Sequence, residues 1–105
     1  MNDKDLHIVR SEDQFLFNAW KFYRHIDIPA KPEKDCWLWT GPLNGGPGNY
    51  GYIYLEGRKQ MAHRFSVEIH TQKKIPEGKV ISHLCNNPQC VNPHHLEIAT
   101  QKQNV

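Results

Sequence analysis

The segment SHLCNNPQCVNPHHL, residues 82–96, constrains the fold of this chain more than any other stretch. It holds two cysteines, three histidines, three asparagines and two prolines in fifteen positions. Prolines and asparagines favour tight turns over a helix or a strand. Cysteine and histidine are the ligands that zinc prefers in proteins. The segment is therefore predicted to be a metal-chelating loop.

The number and spacing of the cysteines indicate a structural zinc site. The chain has three cysteines, an odd number that argues against a closed set of disulfides. Four residues separate Cys85 from Cys90, and four more separate Cys90 from His95. Cys36 would be the fourth ligand of a tetrahedral site, and His94 is an alternative to His95. The competing interpretation is buried free thiols beside a surface histidine.

Length and charge narrow the class of protein. A chain of 105 residues is expected to form one domain, and a bound metal would stabilise its modest core. No apolar run reaches membrane-spanning length and the N-terminus lacks a signal-peptide core, so a cytoplasmic protein without membrane contact is expected. Residues 58–105 carry seven Lys/Arg and three Asp/Glu, against six and eight in residues 1–57. This basic half could bind nucleic acid, or its charges could simply be solvated.

Patterning along the chain predicts an α+β domain. Ser11 and Gln14 fit a capping box before helically spaced aromatic residues, and Glu56-Gly57 is typical of a hairpin turn. The single domain 1–105 is divided into an N-terminal helix and linker at 11–32 and a core at 36–105. The predicted elements are a helix at 11–26, a strand at 36–41, a hairpin at 50–64, a helix at 62–72 and a strand ending near His83.

The loop and the residues around it resemble a known nuclease family. The matching residues are Ser82-His83-Leu84-Cys85, Cys90, Asn92-Pro93, His95-Leu96 and Asn104. They resemble the active-site loop of the His-Cys box homing endonucleases, within the wider HNH or His-Me finger (ββα-metal) nucleases. Ala62-His63-Arg64 and the later IPEG stretch are also similar to phage HNH proteins. Together with the predicted elements, the resemblance implies a small zinc-stapled ββα-metal domain with an antiparallel hairpin and an N-terminal helix.

The resemblance implies a chemical role for each matching residue. His83 would be the general base, and Arg64 would contact the scissile phosphate. Asn104 would bind a catalytic divalent cation, Mg²⁺ or another, from a helix that Thr100 caps. The chain stops one residue after Asn104, whereas family members usually continue this helix. The structural zinc would be held by Cys36, Cys85, Cys90 and His95.

Other residues are candidates for DNA contact. Arg58 and Lys59 lie on the predicted hairpin, and a two-stranded ribbon fits the major groove of DNA. His63 is a further candidate for a DNA or phosphate contact. From spacing alone, Arg64 could instead pair with Glu68 one helical turn later.

These observations lead to one hypothesis and two alternatives. The chain is expected to be a metal-dependent endonuclease that nicks or cleaves double-stranded DNA, as a monomer or a homodimer, in the host cell of a phage or mobile element. The first alternative is a catalytically inactive zinc-stapled module that binds nucleic acid. The second is a zinc module for protein interaction. His83 separates the hypothesis from the first alternative, because a pure binding module needs no imidazole there.

Overall fold

Aromatic residues from distant parts of the chain meet in the core. The computed structural model describes the backbone of residues 3–100 and the side chains of residues 13–100. Phe22 is fully buried, and its ring centroid lies 5.5 Å from that of Trp39 and 5.4 Å from that of Phe65. The N-terminal helix therefore shares a core with the rest of the chain. The other buried members of this core are Ile53, Leu55, Ala62 and Val91.

Residues 3–100 form two α-helices and three separate two-stranded antiparallel sheets, which confirms the predicted α+β class. β1 pairs with β2, β3 with β4, and β5 with β6. In chain order they are α1 (Asp3–Tyr23), β1 (Ile26–Asp27), β2 (Leu38–Trp39), β3 (Tyr52–Leu55), β4 (Arg58–Met61), α2 (Ala62–Thr71), β5 (Lys79–His83), a 3₁₀ turn (Pro93–His95) and β6 (Leu96–Thr100). The interpretation of residues 1–105 as a single domain stays a prediction.

Helix α1 begins earlier and ends earlier than the predicted 11–26. Ser11 lies inside the helix, so the capping pattern there does not mark its start. A capping sequence is a local preference, and residues before it can continue the helix. Near the other end, the N–H of His25 donates to the carbonyl of Phe22 in a tightened turn, and the chain then enters β1. No helix in the described part of the chain combines the length and apolarity needed to cross a membrane.

The predicted hairpin is present as β3 and β4. Glu56 and Gly57 both have positive φ angles, 53° and 77°, as a tight two-residue hairpin turn requires. Ile53 and Leu55 are buried, whereas Tyr54 between them is exposed. Alternation along β3 therefore places one face on the core and the other in solvent.

Polar contacts attach α1 to this hairpin. Asn18 is buried, and its Nδ2 donates to Glu56 Oε2 at 3.1 Å. The Nζ of Lys21 donates to the carbonyl of Tyr54 at 3.1 Å. These contacts fix the helix across the hairpin tip, in addition to the burial of Phe22.

Strand β5 carries His83 to the start of the metal-chelating loop. It pairs with β6, and His83 lies opposite Leu96. β6 is absent from the sequence-based prediction, although Leu96–Thr100 contains β-branched residues that favour a strand. Thr100, the predicted helix cap, is the last residue of this strand, and the predicted helix after it lies outside the described residues.

Candidate metal centre and active site

Three cysteines and one histidine converge between the linker before β2 and the loop after β5. One ligand atom from each of Cys36, Cys85, Cys90 and His95 lies within 4.8 Å of all the others. His95 Nδ1 is 3.6 Å from Cys36 Sγ and 3.4 Å from Cys90 Sγ. Zinc bonds of about 2.3 Å to sulfur and about 2.0 Å to nitrogen place these atoms about 3.5 Å apart in a tetrahedral site. The metal cluster, as we call these four residues, therefore has the spacing of a tetrahedral zinc site.

Asn92 holds the two halves of the metal cluster together. Its side chain is fully buried, and Nδ2 donates to the carbonyls of Pro32 at 2.9 Å and Asp35 at 2.8 Å. Its Oδ1 accepts the N–H of His94 at 2.9 Å. One side chain thus links the segment that carries Cys36 to the loop that carries His95. From the sequence, Asn92 is expected only to favour a turn, because nothing local indicates these long-range partners.

The surroundings of His95 select the nitrogen that can bind a metal. His95 Nε2 lies 2.8 Å from the carbonyl oxygen of Lys34, to which it can donate a hydrogen bond. The proton is then on Nε2, and Nδ1 presents its lone pair to the cysteines. His94, the alternative ligand, is exposed, and its ring lies 5.4 Å from that of His70. The described residues therefore place His95 inside the metal cluster and His94 outside it.

The electrostatics of the thiols favour a bound cation. Burial raises the pKa of the Cys90 thiol to about 12, with smaller contributions in the same direction from the neighbouring Cys36 and Cys85. Burial also raises the pKa of Cys36. Thiolates this close repel each other, and a divalent cation offsets both the repulsion and the cost of removing them from water. Sulfur and nitrogen donors suit zinc and not magnesium. The cluster can thus hold a metal such as zinc.

His83 is oriented by the backbone of the same loop. It is half-buried at the end of β5, and its Nε2 lies 3.1 Å from the carbonyl oxygen of Cys90. If Nε2 carries the proton and donates here, Nδ1 keeps a free lone pair. Burial lowers the pKa of His83, and the Cys90 contact opposes this shift. The loop that can hold the metal therefore also directs a neutral imidazole.

Two further rings pack against His83. The ring centroid of His63 lies 4.9 Å from that of His83, and the ring of Tyr50 lies 5.1 Å from His63 and 5.8 Å from His83. His63 is 8% exposed, and its buried Nδ1 has no hydrogen-bond partner among the described residues. Burial lowers the pKa of His63 to about 4, with smaller contributions from His83 and Arg64. Tyr50, His63 and His83 form a ring cluster, in which His63 is packed inside.

A small open cleft gives access to His83. Its volume is about 290 Å³, enough for part of an extended polymer but not for enclosure of a large ligand. A larger cavity of about 630 Å³ lies between α1, the hairpin and α2, and no member of the metal or ring cluster lines it. The cleft at His83 is lined by Gly48, Tyr50, Ile81, Ser82, His83, Asn86 and Pro88.

Of the two candidate residues Arg64 and Asn104, the structure describes only Arg64. Arg64 Nη1 donates to the carbonyl of Lys79 at 3.2 Å, and Glu68 Oε2 accepts the N–H of Ile75 at 3.2 Å. Each side chain thus has its own backbone partner, in place of the Arg64–Glu68 pair that spacing allowed. The Arg64 contact places its guanidinium at the start of β5, the strand that ends with His83. Asn104 lies outside the described residues.

The two basic residues of the hairpin belong to opposite faces. Lys59 is paired with exposed Tyr54, whereas Arg58 is paired with buried Leu55. Lys59 Nζ lies 4.4 Å from the centroid of the Tyr52 ring. One face of the hairpin therefore combines aromatic rings with a cation, and Arg58 extends from the tip on the other side.

Comparisons with known proteins agree with this site. Residues 60–105 match the family model of the HNH endonucleases. Protein 7.7 of Escherichia phage T7 is 38% identical over 71 residues, 68% of this chain and 52% of that protein. Protein 2.8 of the same phage is 35% identical over 71 residues, 66% of this chain and 45% of that protein. The chain spans about half the length of these curated relatives, and no solved structure matches it.

The chain therefore carries an HNH endonuclease family segment at residues 60–105, which confirms the resemblance to HNH nucleases. This segment includes His83 and three members of the metal cluster, while Cys36 lies before it. The match suggests a nuclease or a related function on nucleic acid.

Loss of a cluster ligand is expected to remove the metal. Purified protein should contain one zinc per chain, and Cys90→Ser or His95→Ala should lose it and unfold several degrees lower, because a structural metal contributes directly to folding. Metal analysis and thermal unfolding measure both effects. His94→Ala is the matched control and should keep its zinc. Stoichiometric zinc in Cys90→Ser would contradict the assigned ligand set.

Burial of neutral His63 predicts acid destabilisation. Its folded-state pKa of about 4 lies below the ordinary value of 6.5, so the unfolded chain binds the proton more readily and stability falls as pH drops from 6.5 towards 4. Between pH 7 and 5.5 the loss from His63 is about 1 kcal/mol. Urea unfolding of the wild type and His63→Leu, with zinc content monitored, should show a flatter pH dependence in the variant. His70→Leu, at an exposed position, should retain the wild-type slope.

Proposed function

We propose that this chain is a metal-dependent endonuclease that hydrolyses phosphodiester bonds in double-stranded DNA, with His83 as the general base. The observation that carries the proposal is the contact between His83 Nε2 and the Cys90 carbonyl, because it leaves Nδ1 free beside an open cleft. The HNH family match over residues 60–105 supports the same reaction.

The proposed chemistry begins with proton transfer to His83. Its neutral Nδ1 accepts a proton from a water molecule, and the water oxygen forms a bond to phosphorus. The bond between phosphorus and the leaving 3′ oxygen breaks, and that oxygen takes up a proton from solvent. Packing against Tyr50 and His63 limits rotation of the His83 ring and keeps it in one orientation.

Two metals with different ligands fit this proposal. The metal cluster has sulfur and nitrogen donors and fills all four positions of a tetrahedral zinc, so zinc there is structural. Magnesium prefers oxygen ligands, and the side-chain oxygen of Asn104 is the proposed protein ligand. A divalent cation at this position would stabilise negative charge on the phosphate and the leaving oxygen.

Arg64 and the hairpin are the proposed DNA contacts. Arg64 uses one nitrogen for the Lys79 carbonyl, and its remaining N–H groups are available to a phosphate. On the hairpin, Lys59 and Arg58 extend the basic surface of residues 58–105. Direct contact of His63 with DNA is disfavoured by its burial, and we assign it to packing in the ring cluster. The phage origin of the relatives supports action in the cytoplasm of a host cell.

Substitution of His83 should slow cleavage strongly while leaving the fold and DNA binding intact. His83→Ala is expected to nick supercoiled plasmid at least about 100-fold more slowly, the usual contribution of a general base. Reactions are compared with and without magnesium at constant zinc, because EDTA would also remove the structural metal. His70→Ala is the control and should cut at the wild-type rate. Zinc content and DNA affinity are measured for every variant.

Two outcomes would reject parts of this function. If His83→Ala cuts as fast as the wild type, His83 is not the base. If the wild type binds DNA but cuts none of several sequences with Mg²⁺ or Mn²⁺, the chain is a zinc-stapled binding module without catalysis.

The hairpin contacts predict a change in the salt dependence of DNA binding. Each phosphate contact made by a basic side chain adds about one to the slope of log K against log salt. Lys59→Ala should therefore reduce the magnitude of this negative slope by about one, and the double variant Arg58→Ala/Lys59→Ala should reduce it by about two. Fluorescence anisotropy with labelled duplex across salt concentrations gives the slopes. Lys31→Ala, in the exposed linker, is the control, and unchanged affinity of the double variant would contradict the assignment.

A further inference from the structure

Helix α1 has a second apolar face that the core does not use. Leu16, Phe17, Trp20 and Tyr23 are 64%, 53%, 57% and 43% exposed, whereas Phe22 of the same helix is fully buried. Contiguous exposed apolar groups of this size on a soluble domain mark interaction surfaces.

Charged residues at both ends make this face self-complementary. Asp13, Phe17, Trp20 and Arg24 follow one another at intervals of four, three and four residues, the spacing of a coiled-coil seam. We call these four residues the α1 stripe. Arg24 continues the last turn of the helix, because its N–H donates to the Trp20 carbonyl at 3.1 Å. In two antiparallel copies, Phe17 of each faces Trp20 of the other, and Asp13 faces Arg24.

Contacts within one chain already order the side chains of the stripe. The rings of Phe17 and Trp20 stack with their centroids 5.9 Å apart. The Arg24 guanidinium lies 4.9 Å from the centroid of the Trp20 ring. Such preorganisation lowers the entropy that association would otherwise cost.

We propose that the α1 stripe is the interface of an antiparallel, two-fold homodimer. A two-fold axis requires one surface to complement itself. The stripe meets this requirement because aromatic rings face aromatic rings and an acidic residue faces a basic one. Leu16 and Tyr23 flank it and add apolar surface. At roughly 200 Å² per large side chain, the four exposed apolar residues present roughly 400 Å². This approaches the roughly 500 Å² per partner of a small specific interface, so we expect a weak, reversible dimer.

The charge pattern favours a second copy over a nucleic acid. Residues 1–57 carry six basic and eight acidic residues, so the helix belongs to the acidic half of the chain. Asp13 within the stripe would repel phosphate. Lys21 beside it is directed to the Tyr54 carbonyl and is thereby occupied at the hairpin.

Sedimentation equilibrium of the full, zinc-loaded chain tests the interface. We expect a concentration-dependent dimer, with a dissociation constant that rises about tenfold or more in Trp20→Ala, since central aromatic residues dominate small interfaces. Ile98→Ala is the matched control, because Ile98 is also an exposed apolar residue but lies on β6, and it should not change association. Circular dichroism and zinc content verify that each variant is folded.

A charge exchange tests the antiparallel register. D13R and R24D should each weaken the dimer several-fold, because like charges then meet at both ends. An equimolar mixture of the two variants restores opposite charges at both ends and should regain wild-type association. A wild-type monomer at about 100 μM, or a dimer insensitive to these changes, overturns the proposal. A monomer whose DNA affinity falls in Trp20→Ala also overturns it and assigns the stripe to nucleic acid.

Discussion

The side chain of Asn92 is the interaction on which the rest of the site depends. It is fully buried and bonds to the linker before β2 and to the turn that precedes His95. Those bonds bring Cys36, distant in sequence, beside the other members of the metal cluster. A buried amide left without partners is costly, so these hydrogen bonds favour the closed arrangement of the loop. Metal binding then stabilises an arrangement that the backbone already favours.

Rigidity in this loop has a chemical consequence at His83. Cys90 contributes its thiol to the metal cluster, and its carbonyl contacts His83 Nε2. The geometry of the cluster and the direction of the imidazole are therefore coupled. The ring cluster fixes the other side of the same imidazole through His63 and Tyr50. A histidine on a free loop would sample many rotamers, whereas this one is restricted from two directions. The small fold therefore uses the same residues for stability and for orientation of its candidate base.

Local sequence signals predicted the parts of this molecule that local physics determines. The cysteine count and spacing predicted a metal cluster of Cys36, Cys85 and Cys90 with His95 or His94, and Glu56-Gly57 predicted the hairpin turn. The parts that were missed depend on partners far away in sequence: Asn92 with Pro32, Tyr50 with His83, and β6 with β5. The sequence around His63 does not indicate whether its side chain faces DNA or packs against a neighbouring ring. Only tertiary packing distinguishes these two possibilities, and in this structure it buries His63.

Helix α1 connects the two proposals in one geometric argument. One face buries Phe22 and attaches to the hairpin tip through Asn18 and Lys21, so the helix has a defined position relative to the proposed DNA contacts. Its other face is the α1 stripe. The two strands of duplex DNA run antiparallel and are related by two-fold axes, as are the copies in an isologous dimer. Under the proposed function, one chain offers one His83 and would cut one strand. A dimer through the stripe would offer two equivalent imidazoles, and the choice between a nick and a double-strand break would then depend on how strongly α1 associates.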